Sequence, residues 1–394
     1  MSASREKAFR LILLLGLVSL TADMVYEGAR SITGPYLLIL GASATIVGLV
    51  TGVGEVVAYG SRVLFGHIAD RSGRHWTLII TGYMMILSLP LLAFANRLDL
   101  ASALIILERL GKAIRTPARD AIVADAASSI GKGKGFGIHE ALDQIGAVAG
   151  PLLVTLLLYH GGYSSAFLYL FIPVIATGSL LVYTRRFATP SLYVDASPKV
   201  SSSSSTSMPW IFWLYLAFVS ISIAGYAHFQ IISYHIKLTS VIDDLYIPML
   251  FALAMGIDAL MALMVGYLFD RYGLIVLILI PLTSMPIAPL AFSLSSSHII
   301  IGIILWGAVM GMQETIMRAS IAVMIDRTRL ATAYGIFNGI YGIAWLSGSM
   351  VIGILYDLSV VSTIIFSVIL SAISLIPLLV LLKGTGSRAS STYE

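Results

Sequence analysis

Gly66-His-Ile-Ala-Asp70-Arg71-Ser-Gly73-Arg74 is followed 200 residues later by a degenerate copy, Gly266-Tyr-Leu-Phe-Asp270-Arg271-Tyr-Gly273. The first glycine, the Asp-Arg pair and the second glycine keep the same spacing in both copies. Gly150 likewise has a counterpart, Gly348, at an offset of 198 residues. Because these offsets are nearly equal, the sequence predicts two similar halves that run in the same orientation.

The composition of the 394-residue chain is typical of a protein embedded in lipid. Hydrophobic residues make up 58% of it and charged residues only 11%, with a mean hydropathy of +0.93. A soluble protein carries roughly 25% charged residues, and its core cannot hide this much apolar surface. The chain has no cysteine, which excludes disulfides, thiolate metal sites and thiol nucleophiles. Its basic residues are spread among short loops, so no nucleic-acid partner is expected.

Twelve apolar runs are long enough to cross a bilayer as helices, which need about 20 mainly apolar residues each. They lie near 9–38, 44–66, 76–95, 100–124, 135–159 and 164–184, and then near 210–237, 245–268, 274–294, 298–325, 330–356 and 360–382. A helix satisfies its backbone amides internally, which favours helices over an open sheet in lipid. The predicted fold is an all-α membrane protein with 12 transmembrane helices in two pseudo-symmetric six-helix bundles.

The two predicted bundles cover residues 1–185 and 209–383. Between them, the segment 186–208 contains a run of serines and two prolines and can form no apolar face, which predicts a flexible cytoplasmic linker. Residues 384–394 have a similar composition and are predicted to be a cytoplasmic tail.

The lysines and arginines of the loops predict the orientation. With the N-terminus inside, 15 of them lie in inner segments, whereas only Arg97 and Lys237 lie in outer ones. Positive charge in short loops favours the cytoplasmic side. We therefore expect a multi-pass, monomeric protein of the cell (plasma or inner) membrane with both termini in the cytoplasm.

The loop after the second predicted span resembles the loop 2–3 signature of the major facilitator superfamily of secondary transporters, and the resemblance covers nearly the whole chain. In that family, the loop latches the cytoplasmic ends of the two halves together in the outward-open state. The resemblance implies that Asp70 caps a helix of the other half, where the helix dipole favours an anion. It also implies that Arg71 or Arg74 reaches Asp125 at the inner end of span four. The predicted latch residues are Gly66, Asp70, Arg71, Gly73, Arg74, Asp125, Gly266, Asp270, Arg271 and Gly273.

Span five contains Gly137-x8-Gly146-x3-Gly150-Pro151, which resembles the motif associated with the family's antiporters. The glycine pair that closes the family's motif is replaced here by Val154 and Thr155. The resemblance implies an exporter. The alternative interpretation is a helix contact, because glycines let two backbones approach closely.

Ionisable residues are frequent at membrane depth, where a charge costs at least a few kcal/mol and therefore marks a candidate for function. Asp23, Glu27 and Arg30 form one stripe along span one. On span four, Arg109 matches the arginine of the family's motif, but Lys112 and Arg115 stand where the family has glycines. The candidates for proton coupling or substrate binding are Asp23, Glu27, Arg30, Glu55, Arg109, Lys112, Arg115, Arg119, Asp120, His139, Glu140, Asp143, Glu314 and Arg318.

These charges allow two interpretations. In one, they form structural ion pairs that hold spans one, two, four and five together. In the other, some carboxylates carry a coupling proton, because burial and nearby cations act on a carboxyl group in opposite directions. The leading carboxylates for the proton role are Asp23, Glu27, Glu140 and Asp143. His139 is a further group that can titrate near neutral pH.

The spacing of His139 and Asp143, with Glu140 adjacent, is compatible with metal ligands, but the cations expected beside them argue against a divalent ion. The sequence contains no nucleophile–base pair, metal constellation or nucleotide-binding P-loop. We therefore expect no catalytic site, no bound metal and no cofactor.

The expected function is secondary transport by alternating access, with proton-coupled export of a small organic molecule favoured. An importer of an organic anion, held by the lysine and arginines of span four, is the alternative within transport. A non-transporting membrane sensor or a lipid flippase is the alternative of another class. The expected partners are a small-molecule substrate, protons and the lipid bilayer.

Overall fold

The computed structural model describes residues 3–187, 208–326 and 329–390, and these residues fold into helices. The helices before the predicted linker are α1 (Ala3–Ile39), α2 (Ala44–Ser72), α3 (His75–Met84), α4 (Leu98–Ser128), α5 (Lys132–Tyr169) and α6 (Phe171–Phe187). The helices after it are α7 (Trp210–Ala224), α8 (Phe229–Thr239), α9 (Tyr246–Tyr272), α10 (Leu279–Ser284), α11 (Ile287–Ala291), α12 (Ser296–Met312), α13 (Arg318–Met324), α14 (Leu330–Leu358) and α15 (Val360–Ser390). Most of the predicted linker, residues 188–207, lies outside the described residues.

The lengths of the apolar segments account for twelve crossings. Within the described residues, nine helical segments are long and apolar enough to span a membrane. Two of them, Gly133–Phe187 and Tyr246–Ala291, have 55 and 46 residues, about twice the length that one crossing needs. The charged helix α4, with 31 residues, is also long enough to cross. The prediction of an all-α membrane protein is therefore confirmed.

Several crossings are broken helices, which the apolar pattern did not predict. Span three continues from α3 into 3-10 turns around Pro90, because proline cannot donate the backbone hydrogen bond of a regular helix. Span seven is divided into α7 and α8 by residues 225–228. There, the indole Nε1 of Trp306 donates a hydrogen bond of 2.9 Å to the carbonyl oxygen of Ala227, so a side chain supplies a hydrogen-bond donor to the backbone at the break.

The C-terminal helix is longer than predicted. α15 continues to Ser390, beyond Lys383 and into the predicted tail, because no proline follows Pro377 to end it. Residues 391–394 of that tail lie outside the described residues.

The helices group into two compact units. Of the described residues, the first contains those within Met1–Gly41, Val57–Val200 and Asp244–Ala252, and the second contains those within Ala42–Val56, Ser201–Asp243 and Leu253–Glu394. Compared with the predicted bundles, the start of α2 belongs to the second unit and the start of α9 belongs to the first. The start of α2 groups with the second unit because it packs closely against α14.

The internal repeat is visible as equivalent helix contacts inside the two units. In the first unit, Gly150 of α5 lies against the backbone of Met24 on α1. In the second unit, its counterpart Gly348 on α14 lies against the backbone of Ala224 on α7. At both positions a Cβ atom would overlap a carbonyl oxygen, so glycine permits the close approach. Met24 and Ala224 are themselves 200 residues apart, as the sequence repeat predicts.

Candidate functional site

The antiporter-like motif of α5 forms the close contact with α1. Gly146 lies against the carbonyl of Leu20, and Gly150 lies against that of Met24, with no room for a Cβ at either glycine. Pro151 is buried beside them, whereas Gly137 has no neighbouring atom within reach of an added Cβ. The glycines therefore bring the polar residues of α1 and α5 to the same place.

One guanidinium connects three helices at this contact. Nη1 of Arg119, on α4, donates a hydrogen bond of 3.0 Å to Oγ of Ser19 on α1 and lies 3.8 Å from Oδ2 of Asp143 on α5. Nη2 of Arg119 pairs with the Asp120 carboxylate at 2.9 Å. The side chains of Arg119 and Asp143 are each only 16% exposed, while that of Asp120 is 45% exposed. Arg119 therefore lies beside one partly exposed carboxylate, that of Asp120, and one buried carboxylate, that of Asp143.

The Ser19 hydroxyl contacts two further side chains besides Arg119. Its Oγ lies 2.9 Å from the hydroxyl of Tyr83 and 3.2 Å from Nε2 of His139. Nδ1 of His139 lies 3.7 Å from Oδ2 of Asp143. Oδ1 of Asp143 is buried and receives no hydrogen bond from the described residues. We call Ser19, Tyr83, Arg119, Asp120, His139 and Asp143 the Arg119 network.

A second group of residues, three of them cations, is arranged around Tyr26 on α1. The Tyr26 side chain is 3% exposed. The Arg109 guanidinium donates a hydrogen bond to the Tyr26 hydroxyl and lies 4.8 Å from the ring centroid. Nζ of Lys112 lies 4.1 Å from the same centroid, and the Arg30 guanidinium 5.9 Å from it. A cation on an aromatic ring gains about 2 kcal/mol or more when both are shielded from water. We call Tyr26, Arg30, Arg109 and Lys112 the Tyr26 cluster.

Two carboxylates lie close to the Tyr26 cluster. Glu27 pairs with Arg30 at 3.4 Å. Asp23 is near enough to Lys112 for an electrostatic interaction. In the described part of the chain, however, neither Asp23 nor Lys112 forms an ion pair at contact distance. Asp23 and Lys112 therefore place an acid and an amine near each other at membrane depth.

Arg115 and Glu108 form a fully buried structural pair. Their charged atoms are 3.6 Å apart, and their side chains are 3% and 2% exposed. Arg115 also lies 4.9 Å from the Tyr83 ring centroid and donates a hydrogen bond of 3.5 Å to the Gly82 carbonyl. Removing either partner would strand a buried charge. These contacts favour the structural interpretation for Arg115.

The remaining charged candidates lie elsewhere. Glu140, one of the leading carboxylates predicted for the proton role, is exposed rather than buried, and its proton role stays a prediction. It follows His139 directly, and successive helix residues point about 100° apart. Glu55 is buried on the part of α2 that belongs to the second unit. Glu314 is half-buried in a π-helical turn, Gln313–Met317, and Arg318 after it is exposed.

The predicted latch residues lie at the ends of α2 and α9. Gly73 and Gly273 both adopt a positive φ, 63° and 64°, where glycine is favoured over other residues. Asp70, Arg71 and Arg74 are exposed, as are Asp270 and Arg271 of the copy. Gly66 lies beside Pro117 of α4, and Gly266 lies beside Thr315 in the equivalent position.

The contact of the latch arginines with Asp125 is not present in this conformation. Asp125 is half-buried, and in the described residues neither Arg71 nor Arg74 forms an ion pair with it. The resemblance implied the contact for one state of a transport cycle. The latch therefore stays a prediction.

Three residues of the two clusters, Ser19, Tyr26 and Tyr83, were missed in the sequence. For two of them a signal was present, because Ser19 and Tyr26 share the helical stripe of Asp23 and Arg30 on α1. They were overlooked because they carry no charge. Tyr83 gives no such signal, since only tertiary packing brings it to Arg115 on α4 and to Ser19 on α1.

Comparisons with known proteins agree with this architecture. A sequence model of the Major Facilitator Superfamily matches residues 15–348 and 235–393. The protein Rv2265 of Mycobacterium tuberculosis is 41% identical over 377 residues, which cover 94% of this chain and 92% of Rv2265. The MFS-type transporter MJ1317 of Methanocaldococcus jannaschii is 26% identical over 377 residues, 92% of each chain. A crystal structure of a variant of the nucleoside transporter NupG has a TM-score of 0.75 at 13% identity, over 95% of this chain and 99% of that one.

Proposed function

Because the chain belongs to the Major Facilitator Superfamily, whose members are transporters and not enzymes, we propose that it exports a small organic molecule by alternating access in exchange for protons. The observation that carries this proposal is the Arg119 network. In it, one arginine on α4 holds a serine of α1 and a buried carboxylate of α5.

Asp143 is the proposed proton carrier. Arg119 favours its ionised form, while burial of Oδ1 without a hydrogen-bond donor favours its neutral form. A small separation of α4 from α5 would weaken the first effect and keep the second. Asp143 would then take up a proton in one state of the cycle and release it in the other.

We infer the direction of transport from the packing of α5 against α1. Gly146 and Gly150 hold α1 and α5 backbone to backbone, so Ser19 and Asp143 would move together while Arg119 moves with α4. This contact uses the motif that resembles the family's antiporters. It supports exchange of protons for a solute that leaves the cell.

The Tyr26 cluster favours a second candidate function, proton-coupled uptake of an organic anion. Arg30, Arg109 and Lys112 all approach one tyrosine ring, and guanidinium groups suit carboxylates and phosphates. In such a symporter, a proton on Asp23 would raise the net positive charge beside the anion. Antiport and symport respond oppositely to the direction of a pH gradient, which makes them separable.

The experiment uses purified protein in liposomes with an imposed pH gradient and a panel of labelled organic cations, neutral molecules and anions. We expect one class to accumulate inside liposomes that are acidic inside, because protons leaving would drive the solute in. A proton ionophore should stop the accumulation. Accumulation of anions only in liposomes that are alkaline inside would favour symport. Equal movement with and without a gradient would contradict proton coupling.

A further inference from the structure

One face of α6 is exposed along most of the helix. The opposite face packs against α1, where the hydroxyl oxygens of Thr177 and Thr21 are 2.8 Å apart. Residues three and four positions apart lie on the same side of a helix, and the exposed residues of α6 follow this spacing. The stripe consists of Ile172, Ile175, Ser179, Val182, Tyr183 and Arg186.

A groove with a volume of about 570 Å³ runs along this face, and we call it the α6 groove. Gly178 and Ser179 lie in its middle, between the larger side chains at its two ends. A Cβ on Gly178 would lie 3.5 Å from Cε of Met84 on α3, which is an ordinary van der Waals contact. The space therefore exists because two small residues interrupt a row of larger ones. The residues that line the groove are Ile175, Gly178, Ser179, Val182, Tyr183 and Arg186.

The length of the α6 groove matches one leaflet of a bilayer. From Ile175 to Arg186 a helix rises about 16.5 Å, and half of a bilayer's hydrocarbon core is about 15 Å. Thr177 lies opposite Thr21, close to the middle of the first span, so the Ile175 end of the groove lies near the centre of the bilayer. The Arg186 end then lies at the level of the lipid headgroups. In the predicted topology α6 ends inside, which makes this the inner leaflet.

The end of the groove at Arg186 carries a cation and an aromatic ring. Arg186 is exposed in the last turn of α6, and among the described residues no carboxylate pairs with it. A guanidinium can donate two parallel hydrogen bonds to a phosphate. The Tyr183 ring lies 4.7 Å from the Phe187 ring, centroid to centroid, and aromatic rings are favoured at the level of the headgroups. This chemistry suits the phosphate of a lipid.

We propose that the α6 groove binds one anionic phospholipid of the inner leaflet, with its phosphate on Arg186 and one acyl chain along Gly178 and Ser179. The unpaired guanidinium favours a lipid with net negative charge, and such lipids are typical of the cytoplasmic leaflet. A second copy of the chain fits less well, because a two-fold dimer through this face would place the two copies of Arg186 at the same depth. The proposal rests on the membrane fold and the predicted topology. It does not depend on proton coupling or on the solute.

Native mass spectrometry of the purified full-length protein tests this proposal, because one spectrum counts both bound lipids and copies of the chain. The probes are phosphatidylglycerol and phosphatidylcholine with identical acyl chains, titrated separately. We expect a monomer whose first bound phosphatidylglycerol is held more tightly than phosphatidylcholine. Arg186→Gln should lower the affinity for phosphatidylglycerol about fivefold, the factor that corresponds to about 1 kcal/mol for one arginine beside an anionic lipid.

Arg185→Gln is the matched control for Arg186→Gln. It removes the same charge at nearly the same depth, but successive helix residues point about 100° apart, and Arg185 does not line the groove. We expect it to change the affinity by less than twofold. Arg186→Lys keeps the charge and loses the two parallel hydrogen bonds, so its affinity should be intermediate. A loss with Arg185→Gln as large as that with Arg186→Gln would overturn the proposal.

The acyl-chain part of the groove is tested separately. Gly178→Leu fills the groove without a steric clash at Cβ, and we expect it to weaken the binding of both lipids. Gly60→Leu is its control, because Gly60 is also exposed on a helix and no atom lies within 4 Å of an added Cβ. Thermal unfolding in detergent checks that each variant is folded, and Ser179→Leu replaces Gly178→Leu if the latter is not.

Three further results would overturn the proposal. The first is equal affinity of the parent chain for the two lipids. The second is unchanged lipid binding by a folded Gly178→Leu or Ser179→Leu variant. The third is a dimer of the parent chain that Gly178→Leu dissociates, which would assign the groove to a second copy. None of these results depends on the outcome of the liposome transport assay.

Discussion

Replacing Arg119 with glutamine is expected to abolish proton-coupled transport and to destabilise the first unit. The substitution removes the cation that lies 3.8 Å from Asp143 and 2.9 Å from Asp120. The Asp120 side chain is 45% exposed, but that of Asp143 is mostly buried. Removing one partner of a buried ion pair typically costs about 3–5 kcal/mol. The carboxyl group is expected to avoid this cost by remaining protonated, and it then cannot release a proton.

Two further variants separate these consequences. Arg119→Gln/Asp143→Asn removes both charges of this pair, so we expect it to recover thermal stability in detergent without recovering coupling. Arg97→Gln breaks the exposed pair with Asp99, which is worth at most about 1 kcal/mol, and should change neither property. Coupled transport at the parental rate by a folded Arg119→Gln variant would show that the network is structural only.

Substituting Tyr26 is expected to give the second-largest effect. Tyr26→Leu removes both the hydroxyl that binds Arg109 and the ring that faces three cations. A hydrogen bond to a charged group contributes about 1.5–3 kcal/mol, and a buried cation–π contact about 2 kcal/mol. We therefore expect solute binding, measured by concentration-dependent transport, to weaken by more than tenfold. Tyr26→Phe keeps the ring and should weaken binding less.

Tyr36→Phe is the control for Tyr26→Phe. Tyr36 also lies on α1, and its hydroxyl donates to the carbonyl of Leu92 at 2.7 Å, away from the charged clusters. We expect this control to lower thermal stability without changing the apparent affinity for solute. If Tyr26→Leu and Tyr36→Phe change transport equally, the Tyr26 cluster is not part of the binding site.

The fold was largely predictable because lipid imposes a simple rule. Each crossing must be a helix with enough apolar residues, and hydropathy detects those segments directly. The repeat around Gly66 and Gly266 then related the two halves. The break between α7 and α8 was not predictable, since it depends on the Trp306 indole reaching the Ala227 carbonyl from another helix. The placement of the start of α2 with the second unit also depends on tertiary glycine contacts.

The candidate site was predictable in part. Charge at membrane depth identified Asp23, Arg119 and Asp143, because such residues are costly without a role. The same criterion missed Tyr26, whose role arises from its ring and hydroxyl. It also misplaced Glu140, because depth along a helix does not determine which face a residue occupies. Distances between helices determine which of these groups meet, and a single sequence does not contain them.

Solute-driven proton movement, recorded with a pH-sensitive dye inside liposomes, tests the proposed function most directly. The parental protein and Asp143→Asn are compared, with Asp99→Asn as a control because Asp99 is an exposed acid that pairs with Arg97 at 2.7 Å, away from the Arg119 network. We predict that one class of solute changes the internal pH with the parent and with Asp99→Asn, but not with Asp143→Asn. If Asp143→Asn moves protons as the parent does, or if labelled solute crosses in the parent without any proton movement, the proposed coupling mechanism is contradicted.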